Sequence, residues 1–220
     1  MATTPTKITL LLADDEPVAR AGIRSILLQA GDIEIIGEAQ DGFEVQRMVA
    51  ELRPRILLLD LRMPGPRPHE LEKWMRENYP ETVTLVLTAH DRDTHLARMM
   101  EAGVAGYLTK DVTEDTLIDR IRSTAQGTIH FDEEQTARAA RWNEEVGKKW
   151  ESLSEREREV LKLLALGAQN RFIASELSIT AKTVESHVTS ILKKLELKSR
   201  QKAAAWMSAN FPDEVDGGKS

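Results

Sequence analysis

The chain contains no cysteine, so disulfides and cysteine-based metal sites are excluded at the outset. Long apolar runs are also missing. The longest, at 56–59 and 82–88, are far too short to span a bilayer. Residues 1–7 lack the apolar core of a secretion signal, and no internal repeat is present; a cytoplasmic protein without membrane contact is expected. What is there is ordinary for a globular protein: 41% apolar and 30% charged residues over 220 positions, room for two small domains or one large one. The formal charge of −6 would disfavour a polyanionic partner if it were evenly spread. Residues 1–150 carry 19 Lys+Arg against 26 Asp+Glu, net −7, whereas residues 152–211 carry 10 against 6, net +4. An acidic domain followed by a basic one is the simplest reading, and a basic module is what nucleic acid would select.

The first ~125 residues alternate short apolar runs with amphipathic stretches. Strands are predicted at 8–13, 33–39, 55–59, 83–88 and 105–109, and helices at 18–28, 43–52, 69–78, 91–102 and 113–125. Strict alternation of this kind implies a five-stranded, doubly wound parallel α/β sheet. In such sheets ligands sit outside the carboxyl ends of the strands. That rule singles out Asp14, Asp15, Asp60, Thr88 and Lys110, each at a predicted strand end. Residues 127–150 show no strand signal and read as a partly helical linker. The stretch 151–211 is helical throughout, an all-α four-helix domain. Ser154 with Glu157 forms a capping box before the first helix, Gly167 ends it, and Asn170, Thr180 and Ser199 are positioned to cap the next three. Residues 212–220 are expected to be a disordered tail.

Any one of the five strand-end residues would be unremarkable: a strand-end Asp is often a helix cap, and a lone Lys is often solvated. Their convergence carries chemistry. Oxygen-only ligands suit Mg²⁺, which is held by one or two carboxylates together with waters and phosphate oxygens. An aspartate beside such a metal can accept a phosphoryl group as a nucleophile. The transferred group spreads charge over three oxygens, so positioning and positive charge matter most. Lys110 is a flexible point cation, and the Thr88 hydroxyl can donate a hydrogen bond.

The stretches Ala13-Asp14-Asp15-Glu16, Asp60-Leu61-Arg62-Met63-Pro64, Thr88-Ala89 and Gly106-Tyr107-Leu108-Thr109-Lys110 resemble the motifs of receiver domains, over about residues 7–126. The resemblance implies the receiver, flavodoxin-like fold, with Asp60 phosphorylated and with Asp14, Asp15, Asp60 and the backbone carbonyl of Arg62 serving Mg²⁺. It implies that Thr88 and Lys110 hold the phosphoryl group. Tyr107 would then be the aromatic that turns inward as Thr88 moves; the bland alternative is a half-buried strand residue. Receivers usually carry glycine eight residues after the acceptor, where this chain has Pro68, with Pro66 close by. Pro68 can open a helix, but the stiff loop puts phosphorylation kinetics in question. Arg62 and His90 lie near the expected mouth of the site, where a cation could shield the acyl phosphate or steady a hydrolytic water.

In the basic half, a short helix, a tight turn (Leu177-Ser178-Ile179-Thr180) and a longer helix read as a helix-turn-helix. Val184, Val188, Ile191, Leu192 and Leu195 form the apolar face of the longer helix, leaving Lys182, Thr183, Glu185, Ser186, Thr189 and Lys193 outward. Lys182, Thr183 and Lys193 suit phosphates; Glu185, Ser186 and Thr189 suit base edges. The same pattern fits a merely solvated face. The residues 153–161, Ile173-Ala174, Thr183-Val184-Glu185-Ser186-His187-Val188, Lys194-Leu195 and Ser199-Arg200 resemble the LuxR-type helix-turn-helix over about 151–211, and the whole chain resembles the NarL/FixJ response regulators. His187 reads as a packing residue or a phosphate contact. Trp206 is either part of a dimer contact or core. Phe172 stands where relatives often have Glu, and no Lys or Arg occupies the base-reading positions, which implies a different operator.

The resemblance implies a transcription regulator bound to double-stranded DNA, phosphorylated by a cognate histidine kinase, dimeric when activated, with RNA polymerase as a further partner. It implies a phosphorylated form whose dimer reads two half-sites. No enzymatic activity is expected beyond the receiver's own phosphoryl transfer and dephosphorylation. Two other readings use the same residues. An aspartate-nucleophile phosphatase would carry a second Asp two residues after the nucleophile, where Arg62 stands. A phosphorylation-independent DNA-binding regulator would use the receiver only to dimerise.

Overall fold

In a computed structural model, residues 7–216 are described. The chain divides into two compact units that meet between Ala139 and Ala140. The first unit is built on β1 (Ile8–Ala13), β2 (Ile33–Ala39), β3 (Ile56–Leu59), β4 (Val83–Thr88) and β5 (Gly106–Thr109). All four ladders are parallel, in the order β2-β1-β3-β4-β5. The apolar runs arise because each central strand is covered on both faces. Leu10, Leu12, Ile56, Leu58, Leu85 and Leu87 pack with Ile23 and Leu27 of α1 (Pro17–Leu28) and with Leu117 and Ile121 of α5 (Glu114–Ala125). Their buried neighbours Leu11, Leu57, Leu59 and Val86 alternate to the opposite face, which belongs to α2 (Gly42–Leu52), α3 (Pro68–Asn78) and α4 (Asp93–Ala102). Because β1 and β3 are neighbours whose crossovers leave in opposite directions, their carboxyl ends frame the crevice of the sheet.

The expected linker is more regular than its sequence implies. After a strand-like pairing of His130 with Gly106, the chain forms α6 (Glu133–Trp142), a π-helical turn (Asn143–Gly147) and α7 (Lys148–Glu151). The boundary between the units falls inside α6.

The second unit holds α8 (Glu155–Ala165), α9 (Asn170–Glu176), α10 (Ala181–Lys194) and α11 (Arg200–Asn210). Ser154, Thr180 and Ser199 cap α8, α10 and α11 as expected, and the capping box is complete. Asn170 is not a cap: Gln169 occupies that position without a side-chain bond, and Asn170 Oδ1 instead accepts from Arg200. The expectation of disorder from 212 onward is corrected for its first residues, which form α12 (Pro212–Asp216). Pro212 pre-sets the first helical turn, and the preceding Phe211 is buried at 1% exposure. Its ring stacks on Trp150 at 4.3 Å and meets Trp142 and Trp206 at 5.7 and 5.5 Å. Trp206 is thus half-buried against Phe211. Residues 217–220 lie outside the described residues. Among the described residues no helix is long and apolar enough to cross a membrane.

Candidate functional site

The carboxyl ends of β1 and β3 bring three carboxylates together. Asp14, Asp15 and Asp60 each offer an oxygen, and these oxygens lie within 4.8 Å of one another. Asp14 and Asp60 are buried, while Asp15 is more open. Local backbone orients two of them: Asp14 Oδ1 accepts the Glu16 N–H at 2.9 Å and Asp60 Oδ1 accepts the Leu61 N–H at 2.8 Å. Burial, and then the charge of Asp60, raise the Asp15 carboxyl above its ordinary value. A divalent cation would relieve that repulsion, and an all-oxygen donor set of this spacing fits a hard cation such as Mg²⁺. Lys110, at the end of β5, reaches back with Nζ 2.8 Å from Asp14, 3.4 Å from Asp60 and 3.9 Å from Glu16. Burial disfavours its charge, but the bond to Asp14 and the charge of Asp60 outweigh that and hold its pKa above the ordinary value.

Thr88 closes β4, fully buried, with its Oγ1 accepting the His90 N–H at 3.2 Å. Tyr107 is buried at 1% exposure, and its hydroxyl donates to the His90 carbonyl at 3.1 Å. Burial pushes its phenol well above the usual range. The Arg62 side chain is exposed and that of His90 half-buried. One residue the sequence did not reveal is Arg20, which donates to the Asp14 carbonyl at 2.6 Å and to Glu38 at 3.1 Å, steadying the end of β1. The loop after Asp60 is tied down as well. Gly42 N–H donates to the Pro64 carbonyl at 2.8 Å. Gly65, at φ +110°, lies so close that a Cβ would stand 3.1 Å from the Gly42 nitrogen. Pro64, Pro66 and Pro68 line a small crevice beside Asp60.

In the second unit, α9, a turn and α10 form the expected helix-turn-helix. Ser178 makes the turn with φ 54°, and Arg156 of α8 donates to the Leu177 carbonyl. Val184 and Ile191 are buried; Lys182, Glu185, Ser186, Thr189 and Lys193 are exposed, and Thr183 and His187 intermediate. The Ser186 and Thr189 hydroxyls donate to the carbonyls four residues back, so their lone pairs remain available as acceptors. Thr183 Oγ1 is engaged with the cap residue Thr180 at 2.8 Å. Beneath α10, Glu157 of α8 accepts from Ser190 at 2.5 Å, from Lys194 at 2.7 Å and from the Ser154 N–H at 2.7 Å. Burial alone would raise this carboxyl. The hydrogen bonds from Lys194 and Ser190 prevail and pull it down to about 2. The sequence indicated the cap but not this tie between the helices.

Residues 10–122 match the family described as response regulator receiver domain, and residues 151–207 match the family described as bacterial regulatory proteins, luxR family. The chain is 35% identical over 203 residues to the nitrate/nitrite response regulator protein NarL of Escherichia coli (strain K12), covering 90% of this chain and 94% of that protein. It is 35% identical over 199 residues to the response regulator protein VraR of Staphylococcus aureus (strain Mu3), covering 90% and 95%. Solved structures of the two-component response regulator RcsB with DNA, one of them with two dimers on two parallel DNAs, match at TM-scores of 0.59 and 0.58. Each is 26% identical and covers 93% of this chain and 99% of theirs. The chain belongs to the two-component response regulators that join a receiver domain to a LuxR-type DNA-binding domain.

Proposed function

We propose that this response regulator is a cytoplasmic transcription factor switched by Mg²⁺-dependent phosphorylation of Asp60 from a histidine kinase, with the phosphorylated form dimerising on its operator. The observation that carries this reading is the convergence of Asp14, Asp15, Asp60 and Lys110 at the ends of β1, β3 and β5. Four carboxylates, counting Glu16, stand against one Lys110, a local charge of −3. A phosphodonor is anionic and would be repelled. Asp14, Asp15, Asp60 and the Arg62 carbonyl would hold Mg²⁺, and the bound ion would supply the missing positive charge. The Asp60 carboxylate then attacks phosphorus, forming the acyl phosphate as the bond to the donor's leaving group breaks. Lys110 neutralises charge on the transferred group, and the Thr88 hydroxyl donates to it. Domain limits of 7–126, 127–150 and 151–211 accompany this reading.

On the DNA side, α10 would enter the major groove. Lys182, Thr183 and Lys193 would meet phosphates, His187 a phosphate or its own helix neighbours, and Glu185, Ser186 and Thr189 base edges. The RcsB dimers on DNA support a two-fold arrangement of half-sites. The test is intact-mass spectrometry with Mg²⁺ and acetyl phosphate, beside Asp60→Ala, with light scattering on the same samples. A phosphoryl adduct absent from Asp60→Ala, with a shift to dimer, is the expected outcome. No adduct with any small donor would remove the reading and leave a regulator that binds DNA independently of phosphorylation.

A further inference from the structure

Arg138, midway along α6, lies against the segment that follows Thr88. Its Nη1 and Nη2 each stand 2.9 Å from an oxygen of Asp91, and its Nε and Nη2 stand 2.8 and 2.7 Å from Asp93 Oδ1. One guanidinium thus spans two carboxylates and is only 21% exposed. One turn earlier, Gln135 donates from Nε2 to the Tyr107 carbonyl at 2.9 Å. Earlier still, the His130 N–H donates to the Ala105 carbonyl at 2.6 Å, and the His130 ring is held by Arg120 and Ser123 of α5. Tyr107 is therefore tied at both ends: its main chain to α6, and its hydroxyl to His90. His90 is in turn tied to the Thr88 hydroxyl, and its chain neighbour is Asp91.

We propose that Arg138 is a clasp that holds the start of α6 on the β4–α4 segment and β5 while Asp60 is free, and that phosphorylation opens it. The inference rests on the phosphorylation reading above. A phosphoryl group on Asp60 that recruits the Thr88 hydroxyl pulls on the His90 N–H bond. The displacement passes directly to Asp91 and, two residues on, to Asp93. A forked guanidinium tolerates little change in the spacing of its carboxylates, so the clasp is the contact that yields. By linkage, whatever the clasp contributes to the unphosphorylated state is subtracted from the affinity for the phosphoryl group.

The experiment is hydrogen exchange of the full chain, with and without Mg²⁺ and beryllofluoride as a phosphoryl stand-in, on wild type, Arg138→Ala, Arg138→Lys and Asp91→Asn/Asp93→Asn. In wild type, exchange over residues 133–139 should accelerate when the stand-in binds. In Arg138→Ala and the double Asn variant it should already be fast, and these variants should bind beryllofluoride about fivefold tighter or more. Arg138→Lys, which cannot span both carboxylates, should fall between. Unchanged exchange over 133–139 in a wild-type protein whose native mass shows beryllofluoride bound overturns the clasp alone. Equal affinity of wild type and Arg138→Ala does the same. Absence of any adduct in every variant overturns the phosphorylation reading and the clasp with it.

Discussion

The Glu157 tie offers the sharpest test of how α10 is held. Glu157→Gln keeps the shape and allows every bond to be remade. The amide oxygen can accept from the Ser154 N–H and Lys194, while the amide nitrogen donates to the Ser190 hydroxyl, which accepts as readily as it donates. What remains lost is the negative charge opposite Lys194. A carboxyl held at about 2 against an ordinary 4.5 corresponds to roughly 3 kcal/mol. Lys194 is 35% exposed, and solvent screening reduces this to about 2 kcal/mol. Because the folded pKa is depressed, the contribution is fully present above about pH 5 and is lost as pH falls toward 2. Urea unfolding followed by tryptophan fluorescence in a Trp74→Phe background reports the second unit alone, through Trp142, Trp150 and Trp206. With a urea dependence of about 1 kcal/mol/M for a unit of this size, the midpoint should drop by roughly 2 M at pH 7, and by almost nothing near pH 2. Glu157→Ala, which strands Lys194, Ser190 and the Ser154 N–H, should cost more, about 3–5 kcal/mol. A midpoint difference between wild type and Glu157→Gln that is the same at both pH values would refute the reasoning, since it would show that charge is not what the site supplies.

Phe211→Ala should destabilise the second unit by about 3–5 kcal/mol, because the ring is the common partner of Trp142, Trp150 and Trp206; calorimetry of the full chain would show the loss in one transition. Gly65→Ala places a Cβ at φ +110° and 3.1 Å from the Gly42 nitrogen. It should cost about 1–3 kcal/mol and slow phosphorylation of Asp60 by acetyl phosphate, read as adduct formation against time. Lys193→Ala should weaken binding to all DNA sequences alike and lower the salt slope of the binding constant by about one per protomer, whereas Glu185→Ala should leave the slope unchanged and relax preference at one base pair; fluorescence anisotropy across a salt series separates the two.

The fold was legible because its signals are local. Parallel strands covered on both faces read as unbroken apolar runs, so β1, β3 and β4 stand out, and Ser154, Thr180 and Ser199 mark their helices by residue type. The strand-end rule pointed to Asp14, Asp15, Asp60 and Lys110, which the sheet topology brings together, and to Thr88 at the end of β4: topology gathers residues that local pattern has already placed. What stayed hidden depends on partners far apart in the chain. Nothing near Arg138 announces Asp91, 47 residues before it, nor does anything near Lys194 announce Glu157, 37 residues before it. The short helix Pro212–Asp216 is not announced locally, because the sequence after Phe211 is polar and rich in glycine; what holds it comes from elsewhere in the unit, through the buried Phe211 ring before it and the ion pair of Glu214 with Lys162 of α8. Asn170 looked like a cap by composition, but a guanidinium from α11 claimed its side chain.

Three buried or near-buried acids show why satisfaction, more than burial, distinguishes a working carboxylate from a structural one. Glu157 is matched on every side by a lysine, a hydroxyl and a backbone N–H, and its charge is stable without any ligand. Glu72 on α3 is buried at 3% exposure, and burial raises its carboxyl above the ordinary value, the direction in which desolvation moves an acid. Asp60 belongs to neither class. It is as buried as Glu157, yet it shares Lys110 with Asp14 and Glu16 and faces Asp15 across a few ångströms. Such a cluster is short of positive charge, and a cation or a phosphoryl group would change its balance, whereas neither has a place to act around Glu157. A variant that completes the Asp60 cluster internally, such as Asp15→Lys, should therefore stabilise the first unit and abolish phosphorylation by acetyl phosphate at the same time, a pairing that thermal unfolding and intact mass can read on one sample.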